Sequence, residues 1–179
     1  LREVIDQASD GLEGRFTEVP LVEASIRHQL GVIHWQLENN DSAQAMFTRA
    51  AELRKEILGE RAHDTLLSME GLAQTLEEPG DEMLAKVVEI RREDFGPEDP
   101  ATLRSRTAYA RKIIRWSTRR RAAQWFRDNV EFSQALESEL RALIDSHEEV
   151  FGKASLERFE SIWVLADLYQ QLSRPDDGI

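Results

Sequence analysis

The chain has 179 residues, 41% of them hydrophobic and 32% charged, which is enough for one globular domain with a substantial core. It has no cysteine, which excludes disulfides, thiolate metal sites and a cysteine nucleophile, and its net charge of −11 argues against nucleic-acid binding by the whole surface. No apolar run approaches the about 18 residues that a membrane helix needs, and a start at Leu1 rather than Met predicts a piece of a longer protein.

Five prolines and nine glycines among residues dominated by Arg, Glu, Leu and Ala favour helices over a turn-rich β protein. A helix is predicted over about 21–37, a turn at 38–41 with Asp41 or Ser42 as N-cap, and a second helix over 42–58. In that second helix Ala43, Met46, Phe47, Ala50, Leu53 and Ile57 recur at three- and four-residue steps, making one apolar face. Gly31 and Ala43 sit beside the large Leu30 and Phe47, the size alternation that lets two antiparallel helices approach closely.

The chain then reads LGERAHDTL from Leu58, FGPEDPATL from Phe95 and FGKASLERF from Phe151. Each copy ends one periodic stretch and precedes another; Leu66, Met69, Leu72, Ala73 and Leu76 continue after the first. Gly59, Gly96 and Gly152 read as helix stops, where a residue without Cβ takes the left-handed conformation cheaply. Asp99 reads as an N-cap with Pro100 at the first helical position. The recurrence predicts helix–turn–helix units stacked side by side, over about 21–59, 64–96, 101–152 and 156–179, the last truncated.

Leu30, Gly31, His34, Ala43, Phe47 and Ala50 are spaced in a way that resembles the tetratricopeptide repeat signature, and Leu165, Ala166 and Tyr169 resemble its first helix again. The connecting sequence is similar to that of kinesin-light-chain-type repeats. The opening segment, with Glu13-Gly14-Arg15-Phe16 and Pro20-Leu21-Val22-Glu23-Ala24, resembles the lead into the repeat array of bacterial, especially planctomycete-type, serine/threonine protein kinases, which implies a lead-in helix and turn over residues 1–18. Departures from the repeat pattern include Ala62-His63, Asp99-Pro100 and Ser155-Leu156 at the linker pair, a short second unit and a long third one. The resemblance implies an all-α, TPR-like α-solenoid of stacked antiparallel helix pairs in a right-handed superhelix over 19–179. It implies a protein-interaction scaffold or recruitment module whose first helices line a concave groove. No Gly-rich phosphate loop and no HRD occur, and Asp94-Phe95-Gly96, part of the second glycine turn, stands without them, so a kinase domain of the parent protein would lie outside this chain, which is not expected to be an enzyme.

By the same resemblance the groove positions are His28, Trp35 and Gln36; Glu70, Gln74 and Glu77; Arg104, Thr107, Arg111 and Arg115; and Trp163, Asp167 and Gln170. Nine basic and no acidic residues lie between Pro100 and Arg127, and Arg104, Arg111 and Arg115 stripe one helix face. Two readings stand. The guanidiniums grip an acidic or phosphorylated peptide, or they pair internally with Glu70, Glu77 and Asp167. Trp116, Trp125 and Phe126 either protrude with the surrounding arginines or pack on a neighbouring helix. Other readings are a ligand sensor with an Arg-lined pocket at Arg111, Arg115 and Trp163, and homo-oligomerisation through the truncated C-terminal end. There the apolar side of Ile162, Leu165, Leu168, Tyr169 and Leu172 has no second helix to cover it. His28, His34, His63 and His147 are scattered, and His34 with Glu38 supplies only two ligands. No metal, cofactor or nucleic acid is expected. The expected location is cytoplasmic, or extracytoplasmic if a membrane span precedes the array.

Overall fold

A computed structural model describes residues 20–173 except 78, 79, 120–125 and 127, together with 5, 7, 9, 11, 12, 15, 16, 18 and 19; at 116–119 and 173 the description is of backbone alone. Among these residues the chain is all-α, without a strand. Its helices are α1 (Pro20–Gln36), α2 (Asn40–Leu58), α3 (His63–Thr75), α4 (Gly80–Phe95), α5 (Pro100–Arg119), α6 (Val130–Phe151) and α7 (Leu156–Ser173). Two compact units form, Leu1–Val87 and Val88–Ile179, with the boundary inside α4.

Local chemistry accounts for the helix ends. Gly59, Gly96 and Gly152 have φ of 88°, 95° and 91°. At Gly59 and Gly152 ψ is 163° and 160°, so these two adopt an extended positive-φ conformation open essentially to glycine alone, rather than the left-handed helical one. Asp99 Oδ1 accepts the N–H groups of Ala101 (2.9 Å) and Thr102 (3.0 Å), which caps α5 and leaves Pro100 at a position needing no donor. The cap of α2 falls at Asn39 rather than at Asp41 or Ser42. The reason is the turn before it: Glu38 takes φ 58°, and Asn39 N–H returns to the His34 carbonyl at 2.9 Å.

In the first unit α1 and α2 run antiparallel, with Arg27 meeting Met46 and Glu23 facing Arg49. Phe47 is the wedge of this unit. A Cβ on Gly31 would lie 2.9 Å from its ring, and one on Gly71 of α3 would lie 2.5 Å from it. Two helices therefore close on one aromatic ring because both present glycine to it. Ala24, Ala43, Ala50, Leu53, Leu66 and Ala73 complete this interior. Upstream, Ile5, Gln7 and Ser9 are helical, and Ser9 Oγ meets His34 Nε2 at 3.0 Å.

In the second unit Leu103, Ala110 and Ile114 of α5, Leu136, Leu140 and Leu143 of α6, and Val164 and Leu168 of α7 form one buried cluster with Phe126. Phe126 is thus a core residue, not a protruding one, and it stacks on Phe132 at 6.4 Å between centroids. The side chains of Trp116 and Trp125 lie outside the described residues. Helix α6 runs antiparallel to α7, with Glu148 meeting Arg158 at one end and Glu137 meeting Tyr169 at the other. Helix α7 lies alongside α5 in the same direction: Arg104 pairs with Glu157, Thr107 with Ser161 and Arg111 with Glu160.

Candidate protein-docking surfaces

A polar clamp recurs at every glycine turn. Arg54 of α2 donates to Ser68 Oγ (2.7 Å) and to the Asp64 carbonyl (3.0 Å) of α3. Arg91 of α4 donates to Ser105 Oγ and to the Ala101 carbonyl (2.9 Å) of α5. His147 of α6 meets Ser161 Oγ of α7 at 2.9 Å. In each case the arginine or histidine lies five residues before the glycine and the serine nine after it, so the clamp fixes one register across all three turns. Buried polar groups hold partners because leaving one unmet costs about 1–3 kcal/mol.

His28 adds to the first clamp, with Nδ1 3.4 Å from Ser68 Oγ and its ring edge-on to Phe47 at 5.4 Å. Burial first, then the nearby Arg54 guanidinium, push its pKa down to about 4, with Asp64 opposing, so this imidazole is neutral. Burial also lowers the pKa of Arg54, and it is the main cause of a lowered His147. His28 is 6% exposed and Thr107 is buried against Leu103 and Ser161; both belong to the packing and do not line a surface.

Other positions are open. On the first unit Trp35 and Gln36 are exposed on α1, and Glu70 and Gln74 are half-buried on α3. On the second unit Arg115 is exposed, Asp167 is half-buried and accepts from Gln171 Nε2 at 3.3 Å, and Trp163 is 76% exposed. The arginine stripe is engaged within its own unit. Arg104 reaches Glu157 at 3.0 Å and lies over the Phe151 ring at 5.0 Å, and Arg111 reaches Glu160 at 3.4 Å. The Glu157 carboxyl is held below the usual carboxylate range by a backbone N–H and then by Arg104. Sequence reasoning placed these partners at Asp167 on this side; they are Glu157 and Glu160.

Two features were missed. One is the repeated clamp, whose signal was the fixed offset of Arg54, Arg91 and His147 from their glycines. The other is the trio of Glu137, Arg141 and Tyr169. There Tyr169 Oη donates to Glu137 (2.6 Å) and accepts from Arg141 (2.6 Å), which lowers the Glu137 pKa and raises that of Tyr169. The apolar side of α7 also divides differently from expectation. Leu168 is fully buried and Ile162, Leu165 and Leu172 partly so, whereas Leu156, Phe159 and Trp163 are exposed. Among the described residues no group of three His, Asp or Glu side chains is placed to hold a metal ion, and no helix is long and apolar enough to cross a membrane.

The closing of α1 and α3 on Phe47 through two glycines packs three successive helices of the first unit around one ring. Residues 22–82 match the family model for the tetratricopeptide repeat. The matched segment runs from α1 into α4, about a third of the chain, and supports a tetratricopeptide-like array there. No curated protein matches the chain. Repeats of the tetratricopeptide type generally mediate protein–protein contacts.

Proposed function

We propose that this chain is a protein-interaction module that binds a peptide or partner domain through the faces of its first helices. The observation that carries the reading is the distribution of large apolar side chains. Large apolar side chains are left to solvent on α1, α3 and α7 (Trp35, Leu67, Leu156, Phe159 and Trp163) and also on α2, α4 and α6 (Ile57, Phe95 and Phe132 among them), but the two tryptophans exposed among the described residues, Trp35 and Trp163, both lie on first helices. Aromatic side chains on rigid helices are efficient anchors because little rotamer freedom is lost when a partner covers them. The similarity of residues 22–82 to tetratricopeptide repeats supports the same reading. The resemblance of the opening segment to the lead into kinase-linked arrays supports a recruiting arm of a larger signalling protein such as a serine/threonine kinase.

An acidic or phosphorylated ligand on the arginine stripe has to displace Glu157 and Glu160 first, which makes that ligand class the less favoured one. A peptide array carrying acidic, phosphorylated, neutral and basic amphipathic sequences tests the module reading. Binding that falls on replacing Trp35 or Trp163 with alanine is expected. Absence of any saturable binder, or binders indifferent to both substitutions and to Arg111→Glu with Arg115→Glu, overturns it. The reading frame upstream of Leu1 tests the kinase context.

A further inference from the structure

We propose that the joint between α6 and α7 at the third glycine turn is an acid-released latch, closed by a neutral His147 and opened when that imidazole takes up a proton.

The three turns share one register but not one chemistry. Five residues before the glycine stand Arg54, Arg91 and His147. The two arginines stay charged throughout the range in which an imidazole titrates, and each donates to a serine hydroxyl and to a carbonyl of the next helix. His147 is the titratable member of the set. It is fully buried, its Nδ1 lies 2.9 Å from Ser161 Oγ, and its Nε2 has no hydrogen-bond partner among the described residues. At the first turn His28 also stands near the serine, but Arg54 holds Ser68 more closely, at 2.7 Å against 3.4 Å, so that joint lacks the same release.

The proton inventory sets the closed state. Thr107 Oγ1 of α5 donates to the Leu103 carbonyl at 3.2 Å and stands 3.0 Å from Ser161 Oγ. Ser161 therefore gives its proton to Thr107 and accepts from His147 Nδ1–H. One hydroxyl thus ties α5, α6 and α7 together. Nε2 is left as a bare lone pair in the interior, with the Phe151 ring 5.6 Å from the imidazole. A proton there creates a second N–H with no acceptor and a buried cation.

The surrounding charges do not rescue that cation. Glu157 and Glu160 of α7 favour it, and Arg104 and Arg106 of α5 oppose it. Both carboxylates are already held, by Arg104 and Arg111, and Arg106 holds Glu139 of α6. Beside His147 on its own helix, Glu148 pairs with Arg158 of α7. Burial therefore decides, and it lowers the folded pKa below 6.5. At the far end of the helix pair the Glu137 carboxyl, held below the usual range, keeps its bond to Tyr169 as the pH falls. Opening starts at the turn, where His147 sits.

Hydrogen exchange of the full chain, read by mass spectrometry in steps from pH 7.5 to 5 and corrected for the intrinsic rate, tests the latch. Protection over 143–151 and 156–168 is expected to be lost progressively below pH 6.5. In His147→Gln the side-chain amide can still donate to Ser161 but takes up no proton, so its protection is expected to stay level over the same steps. His147→Arg, which copies the first two clamps, is expected to do the same. The native chain supplies an arm that needs no substitution. By NMR its His147 ring is expected to titrate below 6.5, in step with the α7 amides. Protection that ignores pH, an equal loss in His147→Gln, or a His147 ring that titrates at or above 6.5, each overturns the proposal.

Discussion

Arg54 of α2 donates to Ser68 of α3 across 2.7 Å, inside the first unit, and the same nitrogen also reaches the Asp64 carbonyl. One guanidinium thus ties a helix to the start of the next. Replacing Arg54 with methionine, which keeps much of the stem, is expected to cost about 2–3 kcal/mol, because two acceptors lose a charged donor. Ser68→Ala is expected to cost about 1–2 kcal/mol. The double variant should cost less than the two added together, since both remove one bond. Urea denaturation followed by circular dichroism measures this, and strict additivity would show that the bond contributes nothing.

The packing of Phe47 predicts an unusual sensitivity at a residue that carries no side chain. Gly71→Ala puts a methyl 2.5 Å from the Phe47 ring edge, too close for any real contact. A loss of about 1–3 kcal/mol is expected from overpacking. Phe47→Leu added to Gly71→Ala should recover part of it, whereas Phe47→Leu alone should destabilise by leaving a void. Thermal melts of the three variants decide the matter; a neutral Gly71→Ala would mean that α3 does not sit as closely as described.

Gly152 tests the backbone argument separately. No atom lies within 4 Å of where its Cβ would be, so alanine there meets no clash. The cost comes from φ of 91° with ψ of 160°, and about 1–3 kcal/mol is expected. Melting of Gly152→Ala without loss of midpoint would refute a positive-φ requirement.

The His28 environment predicts a one-sided pH dependence. Its folded pKa of about 4 lies below the ordinary 6.5, so between these values the unfolded chain takes up the proton more readily than the folded one. This contribution is constant above 6.5 and falls as pH drops from 6.5 towards 4. Melting midpoints for the native chain and for His28→Gln, measured across that window, should converge as pH falls. Parallel curves would show that His28 titrates alike in both states. His147, also depressed, adds in the same direction.

The pairs Arg104–Glu157 and Arg111–Glu160 are partly exposed and join α5 to α7. Glu157→Gln with Glu160→Gln is expected to change stability by no more than about 1 kcal/mol. The same substitutions release two guanidiniums, so phosphopeptide affinity should rise above that of the native chain. Calorimetric titration with one phosphorylated peptide and its unphosphorylated form measures it; no rise would mean that the stripe serves only to join the two helices.

Periodicity and three glycines make the all-α class legible in the sequence, because helix formation is governed by neighbours three and four residues away and an extended positive-φ helix stop is open essentially to glycine. Asp99 with Pro100 announced the start of α5 for the same reason. The partners of Arg104 and Arg111, the burial of His28 and Thr107 and the place of Phe126 in the core were decided only when helices came together. A helix shows which side chains share a face; it does not show which face a distant helix will cover. Charges written far apart, such as Arg104 and Glu157, meet only because the hydrophobic packing of α5, α6 and α7 sets their separation.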